Sequence, residues 1–373
     1  MTGALDGLLV VALEHAVAAP LCSRKLSEAG ARVIKVERPE GDFARRYDAA
    51  GGGVSSYFAW LNYGKQSLAL DLKASDDHSL LEALLRRADV LVQNLAPGAL
   101  ERLGFDAARR RRLNPRLITC SIIGFARPGD SRRRKAYDLL VQAESGLASV
   151  TGAPAAPGRV GISIVDIATG TTAYHAVLEA LLARAASGEV RDLEISMFDV
   201  MAEWMTVPLL QWSHGGVAPG REGLRHPSIA PYGVFGCADG TPLLLAVQND
   251  REWSALARVI GDPVLAEERF RENPARVDAR DLIDARVGDW LAGLDRAAAA
   301  AALDAAGVAH ARLSGVEDLA AHPSLARLTV VAGGEALSVP LPGDRAGVAP
   351  AGVPRVPGVD EHGPAIRAEF SGR

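Results

Sequence analysis

The chain opens on one pattern that it then repeats, a short apolar run with strand character followed by a stretch of helical periodicity. Residues 8–13 read as a buried strand, 20–29 as a helix closed by Gly30, and 31–37 as a second strand, which together make one βαβ unit. The alternation continues with a strand-like run at 67–72, a helix at 75–87, strand-like 89–93, a helix from Asp106 and strand-like 117–123. Strands joined through helices lie parallel in one sheet, so the pattern predicts an α/β fold whose largely parallel sheet carries helices on both faces. A long helical pattern follows from 166 to about 187, then a short strand at 192–197 and a helix through Trp212. Residues 213–231 are rich in Gly and Pro, which marks a boundary, and a second, smaller domain is expected over 226–313. The alanine run at 297–302 reads as helix rather than linker. The tail after Ala346, dense in turn residues, reads as a strap lying over a surface.

A chain of 373 residues has the length for two cored domains at roughly 150 residues each. Hydrophobic residues make up 48% and charged residues 23%, which excludes disorder as the main theme. With 45 acidic against 41 basic residues the formal net charge is -4, so no bulk field draws in nucleic acid or anionic lipid, and any anion site must be local. No apolar run approaches the roughly 18 residues that span a bilayer. The first Lys or Arg is Arg24, so the basic start of a signal peptide is missing and a cytoplasmic protein is expected. Cys22, Cys120 and Cys237 lack CxxC spacing, which signals neither a disulfide framework nor a zinc site; each is expected to be a small buried hydrophobe.

The first βα turn, Glu14-His15-Ala16-Val17-Ala18-Ala19-Pro20, lacks the GxGxxG that admits a dinucleotide pyrophosphate, which disfavours a nicotinamide dehydrogenase. The second strand ends on Glu37-Arg38-Pro39, where such sheets read the ribose end of a nucleotide. Arg38 there suits a ribose phosphate, and equally reads as a solvated arginine at a strand end. Lys73, Arg102 and Lys135 also fall at strand ends or loops, the side on which open α/β sheets bind ligands. The runs Arg109 to Arg112 and Arg132 to Arg134 adjoin turn-like sequence and are expected to face solvent. Asp166 follows an apolar, strand-like run at 160–165 and precedes a helix of small residues; it reads either as an N-cap or as a carboxylate nucleophile kept ionised by the helix dipole. Asp138 faces the same choice between a cap and a supporting acid. There is no HxxxH, HExxH or GxSxG, and of the scattered histidines His15 has the most suggestive place, inside the first βα turn.

Six pieces in order resemble the family III CoA-transferases, the group that contains formyl-CoA transferase, carnitine CoA-transferase and the α-methylacyl-CoA racemases. They are Leu5-Asp6-Gly7; the stretch from Gly30 to Pro39; Leu70-Asp71-Leu72-Lys73; Asn94 with Pro97-Gly98 and Arg102-Leu103-Gly104; Asn114-Pro115-Arg116-Leu117-Ile118; and Asp166. The resemblance implies a Rossmann-like large domain over 1–212, a linker at 213–225, an inserted small α+β domain over 226–313, and a return to the large domain over 314–373. It also implies an interlocked homodimer. It assigns CoA contacts to His15, Ala16, Ala18, Arg38, Leu72, Lys73, Asn94, Ala99, Arg102, Lys135 and Tyr137, the nucleophile to Asp166 and a supporting acid to Asp138. CoA and acyl-CoA then come as substrates, with no permanently bound cofactor and no metal, and the partners are a small carboxylic acid and a second copy of the chain, not nucleic acid or membrane.

Two departures bear on the substrate that the resemblance implies. Val17 stands where formyl-CoA transferase has a glutamine, and His226 to Tyr232 replace that enzyme's glycine-rich loop. Both point away from formate and oxalate, towards succinyl-CoA and branched or unsaturated dicarboxylic acids such as citramalate or mesaconate. A racemase on the same fold would need a histidine where Tyr137 stands, and none occurs between His78 and His175. A catalytically silent CoA-binding protein would have no use for Asp166.

Overall fold

The computed structural model describes residues 3–127, 129–343 and 352–370, which fall into two compact units. The larger comprises Met1–Ala148, Arg159–Leu210 and Ala326–Arg373, the smaller Ser149–Gly158 and Gln211–Leu325. In the larger unit six strands, β1 (Leu9–Leu13), β2 (Arg32–Glu37), β3 (Gln66–Ala69), β4 (Val90–Gln93), β5 (Ile118–Ile123) and β6 (Leu193–Ser196), form one sheet in the order β3-β2-β1-β4-β5-β6. Every neighbouring pair runs parallel. Period-two alternation divides the apolar side chains between the faces. Val10, Ala12, Val33, Val90 and Val92 join a core with α1 (Ala18–Glu28) and the long helix Ile164–Ser187. Val11, Leu13, Ile34, Val36 and Leu91 join another with the helices Ser75–Arg87 and Gly363–Phe370. Strand order reverses between β1 and β4, and at such a switch point open parallel sheets bind ligands in the crevice outside the carboxyl ends of the strands.

Three fixings hold the long helix. Arg184, near its end, donates to Asp89 Oδ1 (2.9 Å) and to the Arg116 carbonyl (2.8 Å). Gly170, near its start, lies so close to α1 that a Cβ there would stand 2.5 Å from the Ala18 carbonyl oxygen. The third fixing, by Asp138, belongs to the site described below.

The structure departs from three expectations. Arg110, inside the run expected to face solvent, is buried and donates to Thr119 Oγ1, the Phe105 carbonyl and Asp192. Residues 160–165 contain no strand, because the long helix already begins at Ile164. The end of the tail is a packed element rather than a strap: Ile366 and Phe370 are buried, His362 N–H donates to the Ser67 carbonyl, and Asp360 and Arg367 take the Ala69 N–H and carbonyl. It thus covers the edge of β3, while residues 344–351 lie outside the described ones.

The smaller unit has a three-stranded antiparallel sheet in the order Ala309–Arg312, Pro242–Ala246, Tyr232–Gly236. The helices Asp250–Ile260, Arg280–Ala292 and Arg296–Ala306 pack on it around Trp253, Leu256, Ile283, Val287 and Leu303. The alanine run lies in the last of these. Arg221 ties Ser149–Gly158 to this unit through the carbonyls of Ser149, Ala153 and Pro154. All three cysteines are buried, and contact with Cys120 together with burial pushes the Cys22 thiol up, which leaves it inert. No described helix is long and apolar enough to cross a membrane.

Under the first βα turn lies a cluster of charges with no solvent exposure. Lys35 Nζ sits 2.9 Å from Asp42 Oδ2 and 3.6 Å from Glu14 Oε1, and Lys65 Nζ sits 2.7 Å from the same Glu14 oxygen. Ser23 Oγ takes the second Glu14 oxygen (2.6 Å), and Lys65 also donates to Asn62 Oδ1 and the Pro20 carbonyl. Burial alone pushes the Glu14 carboxyl up, but Lys65 and Lys35 overcome it and hold it below the usual carboxylate range. Removing one member strands the others in a medium that cannot solvate them. Lys35→Met is therefore expected to destabilise the protein by about 3–5 kcal/mol, read as a lower urea midpoint at unchanged slope.

Candidate active site

The segments that leave the carboxyl ends of β1 to β5 carry most of the expected site residues. After β1 the chain turns sharply: Ala16 has φ +63°, a left-handed conformation that costs an L-residue about 1–2 kcal/mol. Two side chains hold the turn. Asn94, directly after β4, accepts from His15 N–H (3.0 Å) and donates to the His15 carbonyl (2.9 Å), and Asp42 Oδ1 accepts from Ala16 N–H (3.3 Å). His15 and Asn94, two of the expected CoA contacts, thus meet at the switch point of the sheet. The His15 ring lies 5.1 Å from Phe43. Burial holds its imidazole below the ordinary range and so neutral, and its Nδ1 is buried without a hydrogen-bond partner among the described residues.

Arg38 follows β2, exposed and close enough to His15 to depress its protonation further. Lys73 and Lys135 are likewise exposed, and among the described residues none of these three cations has an ion-pair partner. Among the described residues Arg102 donates to the Pro97 carbonyl, at 3.4 Å. Leu72 is half-buried after β3, Ala99 is half-buried at the start of the short helix Ala99–Arg102, and Tyr137 is exposed. The cations share the carboxyl edge of the sheet without touching one another.

Asp166 is half-buried in the first turn of the long helix, whose N-cap is Ser163. It is therefore not the cap. Asp138 does not cap its own helix, Asp138–Glu144, either: its Oδ1 accepts from the N–H groups of Val165 (2.8 Å) and Asp166 (3.3 Å), and so caps the Asp166 helix from outside. Its Oδ2 accepts from buried Gln142 (2.7 Å), whose other end takes the Val160 N–H. The Asp166 carboxyl is pushed up to about 7, by burial first and by the Asp138 charge second. Burial and the Asp138 charge thus oppose ionisation at this helix start, where the dipole was expected to favour it.

Sequence reasoning passed over the aromatic side of the site. Tyr47 packs against Phe43 and, edge-on, against Tyr57, whose hydroxyl lies 3.2 Å from Ser163 Oγ at the start of the Asp166 helix. Burial, with the charges of Asp42 and Asp166 nearby, pushes the Tyr47 phenol up to about 12, so it stays a neutral donor. The Gly41-Asp42 pair inside a turn was the available signal for this loop.

The family described as CoA-transferase family III matches residues 5–348. The chain is 37% identical to an acetyl-CoA:oxalate CoA-transferase of Acetobacter aceti, over 99% of this chain and 96% of that one. It is 36% identical to a succinate–glutarate CoA-transferase of Agrobacterium fabrum, over 77% and 75%. The crystal structure of a CAIB/BAIF family protein from Brucella suis superposes with a TM-score of 0.83 at 31% identity, covering 99% of this chain and all (100%) of that one. The chain belongs to CoA-transferase family III, and it is a CoA-transferase.

Proposed function

We propose that the chain moves CoA from a donor acyl-CoA to a dicarboxylic acid by covalent catalysis through Asp166. The observation that carries this reading is the half-buried Asp166 carboxyl, raised by burial and by Asp138, in a domain whose Arg38, Lys73 and Lys135 are exposed at strand ends and loops with no ion-pair partner among the described residues. Its carboxylate attacks the donor thioester, giving a mixed anhydride and CoA thiolate. The thiolate attacks the aspartyl carbonyl, which releases the donor acid and leaves an aspartyl-CoA thioester. The acceptor carboxylate attacks that thioester, and the returning thiolate takes the acyl group from the second anhydride, which regenerates Asp166. No proton is gained or lost over the cycle.

In this reading Arg38, Lys73, Arg102 and Lys135 hold the phosphates of CoA, and His15, Ala16, Ala18, Leu72, Asn94, Ala99 and Tyr137 line its path. Asp138 supports the Asp166 helix. Oxalate, glutarate and succinate in the relatives' names are all dicarboxylates, which supports an acceptor of that class and keeps oxalate in the test panel beside mesaconate and citramalate. CoA comes and goes as substrate, and no step calls for a resident cofactor.

Asp166→Asn is expected to abolish exchange across a panel of acyl-CoAs and dicarboxylic acids, followed by mass spectrometry, while CoA binding by calorimetry stays close to wild type. Substantial turnover in this variant would remove Asp166 from the mechanism. Because the ionised form attacks and the carboxyl titrates at about 7, the wild-type kcat/KM for acyl-CoA should rise with pH through that value and level off above it.

Arg38→Ala should weaken CoA binding about ten- to a hundredfold, as expected for loss of a charge-assisted phosphate contact, and leave dephospho-CoA binding little changed. An equal loss for both ligands would place Arg38 away from the ribose phosphate.

We also propose an interlocked homodimer. Trp204, Val207, Leu209 and Leu210, on the consecutive helices Met197–Trp204 and Thr206–Gly215, are all more than half exposed, apolar side chains that suit burial against a second copy. Light scattering across a dilution series should find no monomer, and in denaturant the dimer should be lost only together with secondary structure. A folded monomer at low concentration would overturn the arrangement.

A further inference from the structure

Only two described residues other than glycine have positive φ, Ala16 and Asp360, and Ala16 lies in the turn that the proposed function gives to CoA. Its neighbours leave it little freedom. His15 is clamped on both backbone groups by Asn94, and two residues beyond Ala16 α1 begins, with the Ala18 carbonyl pressed against Gly170. Gly170 is one helical turn from Asp166 and therefore on the same face. A change at Ala16 thus shifts the start of α1 against the helix that carries Asp166.

What holds Ala16 itself is Asp42. This carboxylate is 5% exposed and fully engaged: Oδ1 accepts from Ala16 N–H and from Ala44 N–H (2.9 Å), Oδ2 takes Lys35 Nζ, and its own N–H donates to Glu37 Oε2 (2.9 Å). Glu37 is in turn held by Arg45 and Ser67. The position of Asp42 is thus fixed from β2, and its Oδ1 is held against the strained backbone N–H of Ala16.

We infer that Asp42 is a positioning residue for the transferase reaction, which keeps Ala16 left-handed and so sets the first βα turn and Asp166 in register. The inference rests on the reading that this turn receives CoA. Charge and geometry at Asp42 can be separated. Asp42→Asn keeps the short oxygen acceptor and loses the charge facing Lys35; Asp42→Glu keeps the charge and carries the acceptor away from Ala16. Both should lose stability in denaturant, but Asp42→Asn should retain most of its kcat/KM for acyl-CoA, whereas Asp42→Glu should lose about tenfold, the order of a left-handed penalty.

The decisive measurement is a double-mutant cycle with Ala16→Gly, since glycine adopts the left-handed conformation without strain. The loss caused by Asp42→Glu should shrink at least about threefold in the Gly background, in kcat/KM and not in denaturation midpoint. If the longer side chain is not accommodated, Asp42→Ala replaces it in the same cycle. An unaltered loss in the Gly background, or an active Asp42→Glu beside an inactive Asp42→Asn, would overturn the inference. Neither outcome touches the Asp166→Asn result, so the two readings fail separately.

Discussion

The ion cluster of Glu14, Lys35, Lys65 and Asp42 is the constraint on which the site depends. A lysine in the middle of β2 is costly in a sheet covered on both faces, and its burial is tolerable only because two carboxylates meet it within hydrogen-bond or ion-pair range. Those carboxylates belong to the two segments that must converge to make the crevice, the end of β1 and the loop after β2. Apolar residues of similar volume would pack the same space without fixing which backbone groups face which. Here the charges specify geometry: Asp42 turns one oxygen inward to Lys35 and the other outward to the turn at Ala16.

The second determinant is the pairing of Asp138 with Asp166. Both Asp138 oxygens are spent as acceptors, one on the start of the Asp166 helix and one on Gln142. Asp138 orients the long helix and at the same time opposes ionisation of Asp166. On the proposed mechanism, acylation of Asp166 removes one of two neighbouring charges. The covalent intermediates then meet less repulsion than the free ionised enzyme does.

Much of the sheet was legible because parallel strands buried on both faces leave continuous apolar runs, as at Val10-Val11-Ala12-Leu13 and Val90-Leu91-Val92. The run at 160–165 misled for the same reason: its apolar residues are β-branched, yet Ile164 and Val165 open a helix that Asp138 caps from a distant segment. No local signal records a cap supplied from 27 residues away. Arg110 misled by its neighbours, since Arg112 is exposed and Arg109 and Arg111 are half-buried in ion pairs with Glu82 and Asp192, while Arg110 bonds inward to Thr119. Lys35 was the clearest unused hint, a charge inside Val33-Ile34-Lys35-Val36, where solvation is not available. The aromatic wall of Tyr47 and Tyr57 left no periodic trace because it lies on irregular loop and a single short helix.

The C-terminal helix bears on how such a chain comes to be made. The backbone groups of Ser67 and Ala69 are satisfied by Asp360, His362 and Arg367, separated from them by between 291 and 298 residues. During synthesis at about 5–20 residues per second, β3 must therefore wait on the order of 15–60 s with an open strand edge before its partner leaves the ribosome. An unpaired edge of this kind is a template for the wrong strand. The smaller unit lies between the two partners in sequence, so it is translated, and free to fold, while the sheet is still incomplete. The nascent chain is most prone to aggregation in that interval.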